Sequence, residues 1–361
     1  MTTVTAPDAP PGATAAIRKA RGGGFWRYLL VRFLLIFPTI FILVSLVFFL
    51  MRLTGDPITA SLGDRLSPDQ LAERIHAAGY DRPLIVQYLE YLANIFTGNF
   101  GSSITDGRPV TEILLTYGSA TLELAIYALI VAFIVGIPLG MVAAYFRDRW
   151  GDAALRIFAI LCYATPVFFA GLVLKLVFAV WLKALPVAGR ASTRTELKLQ
   201  QLDDPTGIYL IDAIRTGSSS AITDVLTHAV LPALALGLLT AGVFLRLVRT
   251  NVIGTLSRDY VDAARSRGVR EYRLVRRHAL KPALVPIITV IGLQIAMLLG
   301  GAVLTETTFE WKGLGFQLAE YLSKRDFVAV QGIVALLAVI VALTNFIVDL
   351  IAAILDPRVR Y

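Results

Sequence analysis

The chain has 361 residues, of which 56% are apolar and 17% charged, and it carries a formal net charge of +8. A water-soluble domain carries about 25% charged residues, so a single soluble core is excluded. The positive charge sits between long apolar runs rather than across a soluble surface, which argues for membrane orientation and against nucleic-acid binding.

Residues 1–27 are rich in Ala, Pro, Thr and Gly and end with Arg18, Lys19, Arg21 and Arg27. They read as a disordered cytoplasmic tail whose basic end rests on anionic lipid headgroups. A hydrocarbon core roughly 30 Å thick needs about 20 apolar helical residues at about 1.5 Å each. Stretches 29–51, 119–146, 154–182, 227–249, 283–304 and 328–355 meet that length, predicting six crossings. The first follows a basic segment as a signal peptide would, but its apolar run is too long and no small-residue cleavage site ends it, so it reads as an uncleaved span.

The external loop 52–118 is acidic on balance and holds two short helices. One is capped by Ser67, begins at Pro68 and stops at Gly79; the other runs from Pro83, is amphipathic, and carries Tyr88 and Tyr91 for a membrane surface. The turn 147–153 has two arginines, the loop 183–226 is long and near neutral, 246–282 is strongly basic, 305–327 leans acidic, and Arg358 and Arg360 close the chain. Basic segments alternate with neutral or acidic ones, which places both termini and the loop 250–282 in the cytoplasm.

Catalytic chemistry is sparse. His76, His228 and His278 are far apart, no HExxH or Cys/His cluster exists, and the lone Cys162 allows no internal disulfide. No Gly-Lys dipeptide occurs, so the chain holds no ATP through a P-loop of its own, and neither a metal nor a cofactor is expected in it.

The basic loop is the most informative segment. Between 259 and 282, Arg265, Arg267, Arg270, Arg273, Arg276, Arg277 and Lys281 face only Asp259, Asp262 and Glu271. Ser257 is placed to cap a short helix with Asp259 in its first turn, Gly268 to turn the chain, and 270–280 to run back as a second amphipathic segment to Pro282.

Asp262-Ala263-Ala264, three residues, then Gly268 resembles the E-A-A-x-x-x-G coupling loop of bacterial ABC importer permeases. DYVDAARSRGV, RHALKPALVPIIT, GGAVLTETTFEWKGLG, DFVAVQG and LDPRVRY follow in order. With TGDP at 54–57, RPLIVQYLEYL at 82–92, GNFGSS at 98–103 and RPVTEILLTYGSATLELA at 108–125, they resemble the first permease of the dipeptide/oligopeptide (peptide/nickel) ABC importers from about residue 27 onward. Three positions depart from that pattern: Lys281 and Lys312 stand where proline is expected, and Asn99 replaces an aspartate.

The resemblance implies an all-α integral membrane protein of the type I importer permease class, with six transmembrane helices and a cytoplasmic coupling helix. Tyr260, Asp262, Ala263, Ala264, Arg265, Arg267 and Gly268 would contact the ATPase, Arg265 and Arg267 through salt bridges. Implied partners are a second homologous permease, two ATPase subunits or one fused ATPase chain carrying ATP and Mg, an external substrate-binding lipoprotein, and membrane lipid. The setting is a bacterial plasma membrane, and the expected cargo is small peptides, with nickel chelates, glutathione or haem as alternatives.

Polar exceptions inside the spans are the candidates for a substrate path. Lys175, in AGLVLKLVFAVW, either snorkels outward or attracts an anionic group of the substrate. Asn345 and Asp349 lie four apart on one helix face and suit interhelical bonding; Gln294 and Glu306 complete the set. Pro138, Pro166, Pro232 and Pro286 are placed to kink their spans. An ATP-independent secondary transporter remains the alternative; it would show midplane carboxylates or broken helices in paired halves.

Overall fold

The computed structural model of the chain describes residues 24–355 apart from 54, 64 and 65, and only some of the side chains within 281–301. The expected basic tail lies almost wholly outside the described residues, as do Arg358 and Arg360. The described residues are helical, with no strand beyond an isolated bridge between Ser102 and Pro109.

The first long helix, α1 (Gly24–Arg52), is followed by three short ones in the loop 52–118: α2 (Pro57–Leu62), α3 (Pro68–Ala77) and α4 (Leu84–Phe96). In α3 the Ser67 hydroxyl accepts from the Gln70 amide, while the Gln70 side chain accepts from the Ser67 amide, so two N-terminal amides are satisfied reciprocally. The tyrosines of α4 turn toward α1. Tyr91 stacks on Phe48 at 5.2 Å and the Tyr88 hydroxyl bonds Ser45 at 2.5 Å, while Ile85, Leu89 and Phe96 stay exposed.

The bundle is organised around α5 (Val110–Tyr145) and α10 (Ser219–Leu256), which pack against each other more extensively than any other pair. In lipid no hydrophobic force drives helices together, so close van der Waals contact between small residues must do so. The sequence supplies it at every fourth position. Ala120, Leu124, Ala128, Ala132, Gly136, Gly140 and Ala144 of α5 are buried, as are Ala221, Val225, Ala229, Ala233, Gly237, Ala241 and Leu245 of α10. A Cβ added at Gly237 would lie 2.6 Å from the Ala128 carbonyl oxygen, so the two backbones approach as nearly as glycine permits.

The third apolar stretch, expected as one helix over 154–182, is instead two: α6 (Trp150–Ala164) and α7 (Val167–Leu174), the latter continuing as a π-helix over Lys175–Trp181. They meet at a 106° bend. Pro166 is the cause, because its ring disfavours helical geometry at the preceding residue, and Thr165 is extended at φ −79°, ψ 128°. Pro138 and Pro232 do not break α5 and α10, and the side chain of Pro286 lies outside those described.

Two short helices, α8 (Thr193–Gln200) and α9 (Tyr209–Arg215), occupy the following loop. After α10 come α11 (Asp259–Ser266), a return arm over 271–279, α12 (Leu280–Phe309), α13 (Leu314–Ser323) and α14 (Phe327–Leu355). At about 1.5 Å per residue, α5 and α10 are more than 50 Å long and extend beyond the expected spans 119–146 and 227–249.

Candidate functional site

The site is built where α10 leaves the bundle. Ser257 does not cap the next helix as expected, because it is the residue that closes α10. At φ −89°, ψ 16° it cannot also adopt the extended geometry of an N-cap, and its hydroxyl donates to the Ile253 carbonyl at 3.3 Å. Arg258 takes the N-cap position without a side-chain bond, and Asp259 and Asp262 fill the first turn near the positive end of the helix dipole.

Gly268 ends α11 at φ +79°. Its amide donates to the Arg265 carbonyl at 2.9 Å, and the Val269 amide donates to the Ala264 carbonyl at 3.3 Å, which together form a Schellman motif. No atom lies within 4 Å of a Cβ built at Gly268, so conformation rather than space requires glycine there.

The side chains of α11 divide between holding the helix and leaving it open. Val261 is fully buried. Arg265 bridges the glycine turn, donating to Glu271 at 2.7 Å and pairing with Asp262. The Tyr260 hydroxyl donates to the His278 carbonyl at 3.3 Å. Tyr260 and Arg265, though exposed themselves, therefore fasten α11 to the return arm; Asp262, Ala263, Arg267 and Gly268 are exposed as well and Ala264 is half-buried. Arg265 is engaged within the chain; Arg267 makes no ion pair among the described residues.

The segment 270–280, expected as a second amphipathic stretch running back to Pro282, has one buried and one exposed face and continues without a break into the next helix. Glu271–Arg273 passes through a π-helix over Leu274–Ala279 directly into α12. Its Val275 and Ala279 pack with Ala283 and Ile287 of α12, Ala144 of α5, and Val248 and Val252 of α10. Just before the loop, Arg249 of α10 donates to both oxygens of Asp152 in the first turn of α6, at 2.6 and 2.7 Å. The loop is thus seated on three helices of the bundle, one of which, α10, is itself tied to α6.

The polar residues expected along a path do not converge. Lys175 donates to the Thr308 carbonyl at 2.7 Å and lies 5.5 Å from the Phe309 ring centre, at the far end of α12. Gln294 is buried 14 residues, or about 21 Å, back along that helix. Asp349 pairs with Arg32 at 3.1 Å, tying α14 to α1, and Asn345 sits one turn before it. Glu306 is fully buried and accepts from Thr121 at 2.7 Å and from the Phe316 amide at 2.9 Å.

A buried ion pair escaped the sequence reading. Arg190 donates to Glu123 of α5 at 2.5 Å and to the Gly207 carbonyl at 2.8 Å, with its guanidinium 3.6 Å from the Tyr209 ring centre. Glu123 also accepts from Tyr127 at 2.8 Å and from the Leu210 amide at 2.9 Å. An acid within the apolar run ATLELAIYALI was the available signal, but its partner stands 67 residues away, where no local spacing reveals it.

Outside the spans, the Asp106 carboxylate accepts from Arg108 at 2.7 Å and from the Tyr321 hydroxyl at 2.8 Å. Partial burial works against its ionised form, but the hydrogen bonds, led by Arg108, hold the carboxyl well below the usual carboxylate range.

Comparison with known proteins gives two family matches. Residues 136–361 match the binding-protein-dependent transport system inner membrane component, and residues 25–125 match the N-terminal part of such components. The chain is 39% identical over 329 residues to the di/tripeptide transport system permease protein DppB of Pseudomonas aeruginosa, covering 91% of this chain and 96% of that one. It is 37% identical over 337 residues to the dipeptide transport system permease protein DppB of Escherichia coli strain K12, covering 93% and 99%. It is also 33% identical over 335 residues to the glutathione transport system permease protein GsiC of Salmonella choleraesuis, covering 92% and 99%.

Proposed function

Since the chain belongs to the family of binding-protein-dependent transport system inner membrane components, we propose that it forms half of the path by which small peptides enter the cell, powered by separate ATPase subunits. It is a multi-pass permease subunit of the inner membrane and not itself an enzyme; membership of this family decides against the ATP-independent alternative. The observation that carries the mechanism is the seating of α11: an exposed short helix, fastened by Tyr260 and Arg265, whose return arm packs on α5, α10 and α12.

In this reading Asp262, Ala263, Ala264, Arg267 and Gly268 present the docking edge to an ATPase. Closure of two ATPase subunits, or of one fused ATPase chain, around ATP and Mg draws α11 toward the corresponding helix of a second, homologous permease. Because Val275 and Ala279 are packed into the bundle, α11 cannot move without carrying the inner ends of α5, α10 and α12. The permease is then a two-state element, biased by nucleotide from the cytoplasm and by a loaded external binding protein from the other face. Both termini lie in the cytoplasm on this reading.

Small peptides are the cargo that the relatives support. Two are named for dipeptides or di/tripeptides and the third for glutathione, itself a small peptide. The test is to purify the tagged chain from its native membrane in mild detergent and assay vanadate-sensitive ATP hydrolysis, with and without Asp262→Arg. Stoichiometric P-loop partners with activity lost in the variant are expected. A chain that purifies alone and inert, under conditions where known importers survive, overturns the proposal.

A further inference from the structure

Four arginines remain unexplained by the coupling role. Arg270, Arg273, Arg276 and Arg277 follow the glycine turn, all are exposed, and none makes an ion pair among the described residues. The nearby acids do not neutralise them: Asp262 and Glu271 are both engaged by Arg265, and Asp259 stands at the start of α11.

Their placement is orderly. Leu274, Val275 and Ala279 face inward and are buried, while the arginines and Tyr272, which is 60% exposed, form the opposite face. Together they line one cleft of about 630 Å³, within the size range of small-ligand sites. The Arg276 guanidinium also reaches the Tyr272 hydroxyl at 3.3 Å, which orients it along the cleft.

The arm runs without interruption into α12, which carries the fifth expected span, 283–304. At about 1.5 Å per residue, Arg276 and Arg277 stand about 10 Å and Arg273 about 15 Å before the start of that span at residue 283, a distance from which long arginine side chains reach toward the lipid headgroups. Guanidinium groups match phosphate oxygens with paired donors, and an exposed tyrosine at that depth suits the same interface.

We propose that this arginine cleft is a binding site for the phosphate headgroup of an anionic phospholipid of the cytoplasmic leaflet. The lipid neutralises an arm that is joined rigidly to α12 and through Arg265 to the coupling helix, so its occupancy sets where α11 rests. The inference stands on the arm's own geometry and does not depend on the identity of the cargo.

The whole importer, reconstituted in nanodiscs, tests it. The probes are phosphatidylglycerol against phosphatidylcholine, read by native mass spectrometry of the released complex and by ATP hydrolysis. Wild-type chain should retain phosphatidylglycerol at least about tenfold over phosphatidylcholine. The triple change Arg273→Gln, Arg276→Gln, Arg277→Gln should abolish that preference and the accompanying stimulation of hydrolysis, and the triple change to lysine should restore part of both. If the triple glutamine chain fails to insert, Arg273→Gln alone should give a graded loss, with Arg74→Gln on α3 as the unaffected control. Equal retention in the glutamine chain overturns the proposal. So does loss of the ATPase subunits with lipid still bound, which would assign the cluster to protein docking. Displacement of the lipid by millimolar glycerol phosphate would make the ligand a soluble anion and overturn the membrane assignment.

Discussion

Arg249 holds Asp152 through both carboxylate oxygens, at 2.6 and 2.7 Å, with the aspartate side chain fully buried. The pair joins α6 to α10 eight residues before α10 ends at Ser257, so the base of the loop that carries α11 is anchored independently of the loop itself.

Removing Arg249 leaves the buried Asp152 carboxylate with only Arg156 at 3.8 Å and the Asp148 amide at 3.2 Å, which costs up to about 3–5 kcal/mol, whereas replacing both partners with apolar residues costs far less. Arg249→Met should therefore lower the thermal midpoint of the purified importer more than Asp152→Leu with Arg249→Met together. Strictly additive single and double variants would show that the two groups do not act as a pair.

Gly268 separates conformation from space. A left-handed residue costs most side chains about 1–2 kcal/mol, but asparagine tolerates it, and a side chain there meets no atom within 4 Å. Gly268→Asn should keep uptake coupled to ATP hydrolysis in proteoliposomes, and Gly268→Val should uncouple it while the chain still inserts. Wild-type coupling in the valine variant would remove the turn from the mechanism.

The close approach of α5 and α10 predicts a sharp contrast within one helix. Gly237→Val drives a side chain into the Ala128 carbonyl, an overpacking cost of about 1–3 kcal/mol. Gly254→Ala, with open space around it, should be neutral or stabilising. Thermal unfolding of the two variants in the same detergent decides it, and equal midpoints would contradict the packing described.

Asp106 makes the packing of its loop acid-sensitive. Its folded carboxyl titrates below the unfolded value of about 3.9, so the folded state binds fewer protons; its contribution is complete above that value and fades as pH falls through the lower folded one. The stability difference between wild type and Asp106→Asn should be constant above about pH 5 and should shrink below about pH 4. A difference that instead grows in acid would reverse the sign and refute the assignment.

Lys175 is engaged by the Thr308 carbonyl. Lys175→Met should therefore cost about 1–3 kcal/mol of stability and leave the ratio of acidic to neutral peptide uptake unchanged. Selective loss of acidic peptides would put the ammonium in the substrate path after all.

Much of this was legible in the residues. Apolar length placed the helices, Ser67 with Pro68 placed α3, and the D-A-A-x-x-x-G order placed α11 and its turn at Gly268. These are local properties: a run of about 20 apolar residues, a cap, or a backbone angle that only glycine adopts cheaply depends on neighbours within a few positions. The every-fourth-residue ladders on α5 and α10 were equally present in the sequence, but a ladder does not name its partner helix.

Partnership was decided by the tertiary structure. Arg190 meets Glu123, Arg249 meets Asp152, and Asp326 accepts from Ser103 at 2.7 Å, across 67, 97 and 223 residues of chain. The fold also paired Arg265 with Glu271 across the glycine turn, on the exposed side of the loop, and closed α10 at Ser257, removing the cap expected there. A charge in an apolar run announces that it must be paired, because an isolated ion in hydrocarbon is too costly. Which group pairs with it depends on how the helices cross, and that is set by the close contact of small residues such as Gly237 against Ala128, which no single segment contains.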